Sequence, residues 1–169
     1  MAHHAKDHSA TSAANRAAAT PAGTNGSGAA ANGKAPRELR LNVTSDPANL
    51  ATVRRACEAL CVECGLGEAA AGEVGLVVNE AMANITRHAY DGATDRPVSV
   101  VARWDARANG VTIILRDWGS GFNPASVRPK QDPSQPGGLG LVCIRCLMDE
   151  VHYAPQPDGM LLTMTKRKK

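Results

Sequence analysis

Aromatic residues are nearly absent. Phe, Trp and Tyr together make up 3% of the chain, so any core has to be filled by Val, Leu, Ile, Ala and Met. Hydrophobic residues still reach 43% of 169 positions, enough for one packed domain. No apolar run approaches the roughly 18 residues of a membrane span. The stretch from Met1 to Ala31 is Ala, Ser, Thr, Gly and Asn with scattered charge, and it lacks the apolar centre of a secretion signal. These two absences predict a cytoplasmic protein with no membrane partner. A basic stripe is missing as well. The formal charge is +3, but Lys6, Arg16 and Lys34 against Asp7 give residues 1–36 a net +2, and Lys166 to Lys169 add +4, leaving about −3 for the body between them. A mildly acidic body with a basic end predicts no direct nucleic-acid contact.

The five cysteines are an odd number, which argues against a disulfide framework. Cys57, Cys61 and Cys64 have a spacing that can hold an iron–sulfur cluster, and Cys143 and Cys146 form a Cys-x-x-Cys pair. On helices, however, Cys57, Cys61 and Cys64 share a face with Leu50, Val53 and Leu60, where small sulfur side chains suit a core. The sequence favours that packing role. His3, His4 and His8 are read as incidental to a polar tail.

Residues 1–36 carry too little apolar surface to offset chain entropy and are expected to be a disordered tail, with one domain over 37–169. Leu39, Leu41 and Val43 alternate with polar residues as on a half-buried strand. Ser45 or Asp46, followed by Pro47, opens a helix that runs to Cys64 and stops at Gly65. A second helix is predicted from about Gly67 to His88, with Val74, Val77, Val78, Ala81 and Ile85 as its apolar stripe. Val98 to Trp104 and Val111 to Arg116 read as a hairpin around Ala108-Asn109-Gly110. Asn123 to Pro136 is a long Pro-rich loop of the kind that forms lids. Leu139 to Leu147 reads as a helix, and Glu150–Ala154 with Leu161–Lys166 as a closing hairpin around Asp158-Gly159.

Three segments in a fixed order carry the chemistry: Glu80-Ala-Met-Ala-Asn84-Ile-Thr-Arg-His88, Asp117-Trp-Gly119-Ser-Gly121-Phe122 and Gly137-Gly138-Leu139-Gly140-Leu141. Glu80, Asn84 and His88 are four apart, and each such step drifts only about 40° on a helix, so the three are expected to share a face. Asn84 offers an amide oxygen of the hard kind that magnesium accepts. Glu80, one turn earlier, can take a proton from an attacking hydroxyl. Asp117 at the mouth of a strand can accept a hydrogen bond from an exocyclic amine, which adenine has and guanine lacks at that position. Gly119 and Gly121 allow a base to approach the backbone closely. Gly137, Gly138 and Gly140 open a helix whose free amides attract phosphate. The run lacks the Lys-Ser/Thr ending of a Walker phosphate loop.

In this order the three segments resemble the N, G1 and G2 boxes of the Bergerat-fold (GHKL) ATPases. The fuller string Asn79-Glu-Ala-Met-Ala-Asn-Ile-Thr-Arg-His-Ala-Tyr90 and Asp117 to Phe122 are most similar to its small branch of anti-sigma-factor serine/threonine kinases. The resemblance covers about residues 37–166. It implies a two-layer α/β sandwich with helices on one face of a mostly antiparallel, mixed sheet. It also implies ATP and Mg2+ as ligands. Glu80 would be the general base and Asn84 the metal ligand. The nucleotide would be held by Asp117, Gly119, Gly121 and Phe122 and by Gly137, Gly138, Leu139, Gly140 and Leu141, beneath a lid at Asn123–Pro136. Arg87 and His88 match the family string. Family members end in a Gly-Thr strand whose threonine helps hold adenine. This chain has Gly159-Met160-Leu161 there, so Thr163 is the expected substitute. The implied function is a partner-switching protein kinase that phosphorylates an anti-sigma-factor antagonist and alternatively sequesters a sigma factor, as a homodimer. Two rival readings use the same residues. One is a binding module that grips a partner without phosphorylating it. The other is a histidine-kinase-like module acting in trans, since the helical hairpin that carries a phosphoacceptor histidine is not expected in residues 1–36.

Overall fold

The computed structural model describes residues 37–120 and 139–169. The expected tail at 1–36 and the expected lid at Asn123–Pro136 lie outside the described residues. Eight main elements follow one another: β1 (Glu38–Thr44), α1 (Leu50–Glu63), α2 (Glu68–Asn84), β2 (Pro97–Asp105), β3 (Gly110–Asp117), α3 (Leu139–Leu147), β4 (Glu150–Gln156) and β5 (Gly159–Arg167). The strands form one sheet in the order β1-β2-β3-β5-β4. All four pairings are antiparallel, so the mixed sheet expected from the sequence is corrected to a wholly antiparallel one. Hairpins join β2 to β3 and β4 to β5, and this connection makes neighbours antiparallel.

Local signals set the element ends. Asp46 accepts a hydrogen bond from the Ala48 N–H (2.8 Å) and caps a short 3-10 turn at Pro47–Asn49 that leads into α1. Gly65, at φ +80°, ends that helix as the sequence predicted. The second helix differs. It is α-helical only to Asn84 and then widens into a π-helical turn at Ile85–Ala89, closed by the Tyr90 N–H to Ile85 O bond at 3.1 Å. The Thr86 hydroxyl lies 2.7 Å from Ser45 O and 3.2 Å from Met82 O, so a side chain competes for a carbonyl of the regular ladder.

Strand alternation decides the layers. Val98, Val100 and Ala102 of β2, Val111, Ile113 and Leu115 of β3 and Leu162 and Met164 of β5 are buried on one face. They form a single core cluster with Val53, Cys57, Leu60 and Cys61 of α1, Val74, Val77, Val78 and Met82 of α2 and Ile144 of α3. Cys57 and Cys61 belong to the core, and burial pushes both thiols up to about 12, which keeps them protonated and inert. Lys166 is buried on the same face. Its amine pairs with Glu73 of α2 and donates to Leu147 O (2.6 Å) at the C-terminus of α3, where a positive charge is favoured.

Adjacent residues of β5 test this layering. Met164→Ala should cost about 2–5 kcal/mol in urea unfolding, and Thr163→Ala, on the opposite face, under about 1 kcal/mol. Equal costs would contradict the assignment of faces.

Candidate functional site

Asp117 ends β3 on the buried face, beside Met160 of β5. It is 4% exposed. Its carboxylate accepts a hydrogen bond from the Gly119 N–H (3.0 Å). Desolvation nonetheless holds its pKa above the ordinary carboxylate value, because that bond, nearby Arg116 and the Met160 backbone only partly offset burial. This leaves acceptor capacity on the carboxylate, since an ionised carboxyl has about four lone-pair sites.

The turn after Asp117 is bolted to the end of α2. The Tyr90 hydroxyl donates to Pro97 O (2.6 Å) and accepts from the Trp118 N–H (2.7 Å). The Ser120 N–H donates to Ala89 O (3.0 Å). A Cβ at Gly119 would collide with the carbonyl oxygen and methyl of Ala89, so only glycine permits this approach. On the outer side, the Arg116 guanidinium stacks 4.9 Å from the Trp118 ring, donates to Asp117 O and pairs with Asp158.

A narrow cleft opens between these elements. Among the described residues it is lined by Ala81, Asn84, Ile85 and Ala89 of α2 and its π turn, Asp117 of β3, and Leu141 and Ile144 of α3. Tyr153, Met160 and Leu162 of the β4–β5 hairpin complete it. Its walls are mostly apolar, with the polar side chains of Asn84, Asp117 and Tyr153 among them.

Glu80 sits one helical turn before Asn84. A Cβ at Gly140, in the first turn of α3, would collide with the Glu80 carboxylate. The glycine therefore lets the start of α3 approach this acid. Arg87, the middle residue of the π segment, reaches back to Glu80 at 3.3 Å and also donates to Ala83 O at 3.2 Å.

The site residues named from the sequence thus fall into four groups. Asn84, Asp117 and Leu141 line one cleft, and Glu80, Arg87, Gly119 and Gly140 adjoin it through the contacts above. His88 and Thr163 do not line it. Thr163 is corrected by alternation: Met160 and Leu162 face the cleft, so Thr163 lies on the other side of β5, paired with Ile114 and His152. Gly121, Phe122, Gly137 and Gly138 lie outside the described residues, and of Leu139 only its backbone place at the start of α3 is described. Sequence reasoning missed Tyr90 and Tyr153. Tyr90 stands in the quoted string, but its pairing with Trp118 depends on tertiary structure.

The donor set suits a magnesium nucleotide. An apolar slot with one buried carboxylate fits a base that carries an amine, and Asn84 supplies a neutral oxygen. Among the described residues no three His, Cys, Asp or Glu side chains converge on a metal cage. A magnesium ion held chiefly by phosphates and water needs none.

A sandwich of this topology, with an acid–amide helix face and a buried strand-end carboxylate around one slot, is the architecture of a nucleotide-handling domain. The chain belongs to the family of histidine kinase-like ATPase domains, whose model matches residues 43–166. It is similar to the serine-protein kinase RsbW of Bacillus pumilus, with 25% identity over 137 residues covering 76% of this chain and 84% of that protein. RsbW of Bacillus velezensis is 26% identical over the same shares. RsbW of Listeria monocytogenes is 25% identical over 136 residues, covering 76% of this chain and 86% of the relative. Among the described residues no helix is long and apolar enough to cross a membrane.

The environment of Asp117 gives a pH test with a defined sign. Its folded pKa is raised, so the ionised group costs stability above the unfolded carboxyl pKa, and the cost disappears as pH falls through the folded value. Asp117→Asn should therefore melt above the wild type at pH 7, with the gap closing as the buffer is taken down through the carboxylate range. A variant that melts lower at pH 7 would contradict this electrostatic account. Tyr90→Phe should cost about 1–3 kcal/mol in urea unfolding, because it leaves the Trp118 N–H and Pro97 O without their partner. A neutral result would show that the hydroxyl does not hold the turn.

Proposed function

We propose that this chain is an ATP-dependent protein serine/threonine kinase of the partner-switching type. Its substrate would be an anti-sigma-factor antagonist, and it would alternatively sequester a sigma factor, acting as a homodimer. The observation that carries the reading is the convergence of Asp117, Asn84 and, one turn away, Glu80 around a slot closed by α3. The names of the RsbW relatives, each a serine-protein kinase, support the same reaction.

Each residue then has a task. Asp117 accepts the adenine amine in a dry setting, where a hydrogen bond to a charged group is strong. The apolar walls from Ala81, Ile85, Ile144, Met160 and Leu162 take the faces of the base. Asn84 would hold Mg2+, which offsets phosphate charge when bound. The first turn of α3, with Gly140, turns its free N–H groups towards the phosphates. Glu80 accepts the proton of the attacking serine or threonine hydroxyl. The new bond joins that oxygen to the γ-phosphorus, the bond to the bridging oxygen breaks, and ADP leaves. Transfer of this kind needs mainly positioning and charge stabilisation, which a small domain can supply.

The Glu80–Arg87 ion pair favours a second reading. A carboxylate already engaged by a guanidinium has an oxygen less free to receive a hydroxyl, as it would be in a module that binds nucleotide and grips a partner without phosphorylating it. Glu80→Gln separates the two. With a cognate antagonist and radiolabelled Mg-ATP, the kinase reading expects transfer to fall by about 10²–10⁴-fold while ATP affinity stays within about threefold. No transfer by the wild type to a proven cognate partner, or regulation unchanged in Glu80→Gln, would favour the module.

A further inference from the structure

Tyr153 has a place in the cleft that the three boxes do not account for. It lies on β4, paired with Leu162 of β5, and its side chain lines the same cleft as Asp117 and Met160. Its hydroxyl oxygen is buried and has no hydrogen-bond partner among the described residues. Buried polar groups are almost always satisfied, so an orphan on a residue that lines the cleft points to a partner that arrives with the ligand. Burial raises the phenol's pKa, so the group remains a donor at neutral pH.

The chemistry of the slot specifies what that partner is. Of the three polar side chains in the lining, Asp117 only accepts hydrogen bonds and Asn84 is engaged by the metal in the reading above. An aminopurine presents a donor, its amine, together with ring nitrogens that only accept. A carboxylate satisfies the first and repels the second. The slot therefore needs one side-chain donor, and Tyr153 supplies it. The strand position from which Thr163 was expected to act faces away, whereas Tyr153, on the neighbouring strand, is among the residues that line the cleft.

We propose that Tyr153 is a nucleotide-binding residue whose hydroxyl donates a hydrogen bond to a ring nitrogen of the bound adenine, and so shares base recognition with Asp117. The inference rests on the ATP reading given above.

Tyr153→Phe in the full chain separates this role from a structural one, because the two predict opposite signs. Without nucleotide, removing a buried unpaired hydroxyl should leave the melting temperature equal to or above that of the wild type. In calorimetry with Mg-ATP, affinity should fall by about 5- to 30-fold, the worth of one hydrogen bond in a dry site. Titration with 1-deaza-, 3-deaza- and 7-deaza-ATP should find one analogue that binds wild type and variant alike, which identifies the nitrogen. Unchanged ATP affinity in a variant whose wild type binds ATP would overturn the proposal alone. So would a lowered melting temperature, or an equal loss on all three analogues. Failure of the wild type to bind ATP would overturn the underlying reading and this proposal with it.

Discussion

A carboxylate buried at the end of a central strand must be satisfied, and much of this site can be understood from that requirement. Asp117 is held by the Gly119 N–H of its own turn. That donor is in place only if the turn keeps its shape. The shape is kept by Tyr90, which bridges Pro97 O and the Trp118 N–H, and by the contact of Gly119 with Ala89. The segment that ends α2 is thus also the clamp for the strand-end acid. The metal-ligand candidate and the base-reading candidate are parts of one rigid junction, although 33 residues separate Asn84 from Asp117 in sequence.

The remaining wall is placed by α3, which is secured at both ends. Its C-terminus is tied by Lys166 to Leu147 O, and the Asp149 N–H donates to Thr165 O at 3.0 Å. Its first turn meets the Glu80 carboxylate, with Gly140 providing the room. A displacement of that turn would act directly on the candidate base. The Arg87 pair acts on the same carboxylate from α2. Glu80 is therefore the point where the α2 face, the π turn and the start of α3 meet.

Much of this was legible in the sequence, and what was not has a physical reason. Helix α3 was read as Leu139–Leu147 and is found there, because its apolar pattern is continuous. The strands β1, β2 and β3 followed from alternation, and the Asn109-Gly110 turn from composition, with Asn109 at φ +49°. The π turn was not legible, because it depends on Thr86 reaching Ser45 O, a contact 41 residues away in sequence. Thr163 failed for a simpler reason: a strand has period two, and Met160 and Leu162 already occupy the inward places. Tyr153 could not be singled out from β4, because only the assembled sheet shows that it lines the cleft and that its hydroxyl is buried without a partner among the described residues.

The central claim is that the cleft between α2, α3 and the β4–β5 hairpin binds adenosine triphosphate through its base and its metal. Isothermal titration of the full chain with Mg-ATP and then Mg-GTP tests it most directly. The account predicts saturable, one-site binding of ATP and at least about tenfold weaker binding of GTP, whose base has a carbonyl oxygen where adenine has its amine. Equal affinity for the two nucleotides, or no heat with either on folded protein, would contradict it.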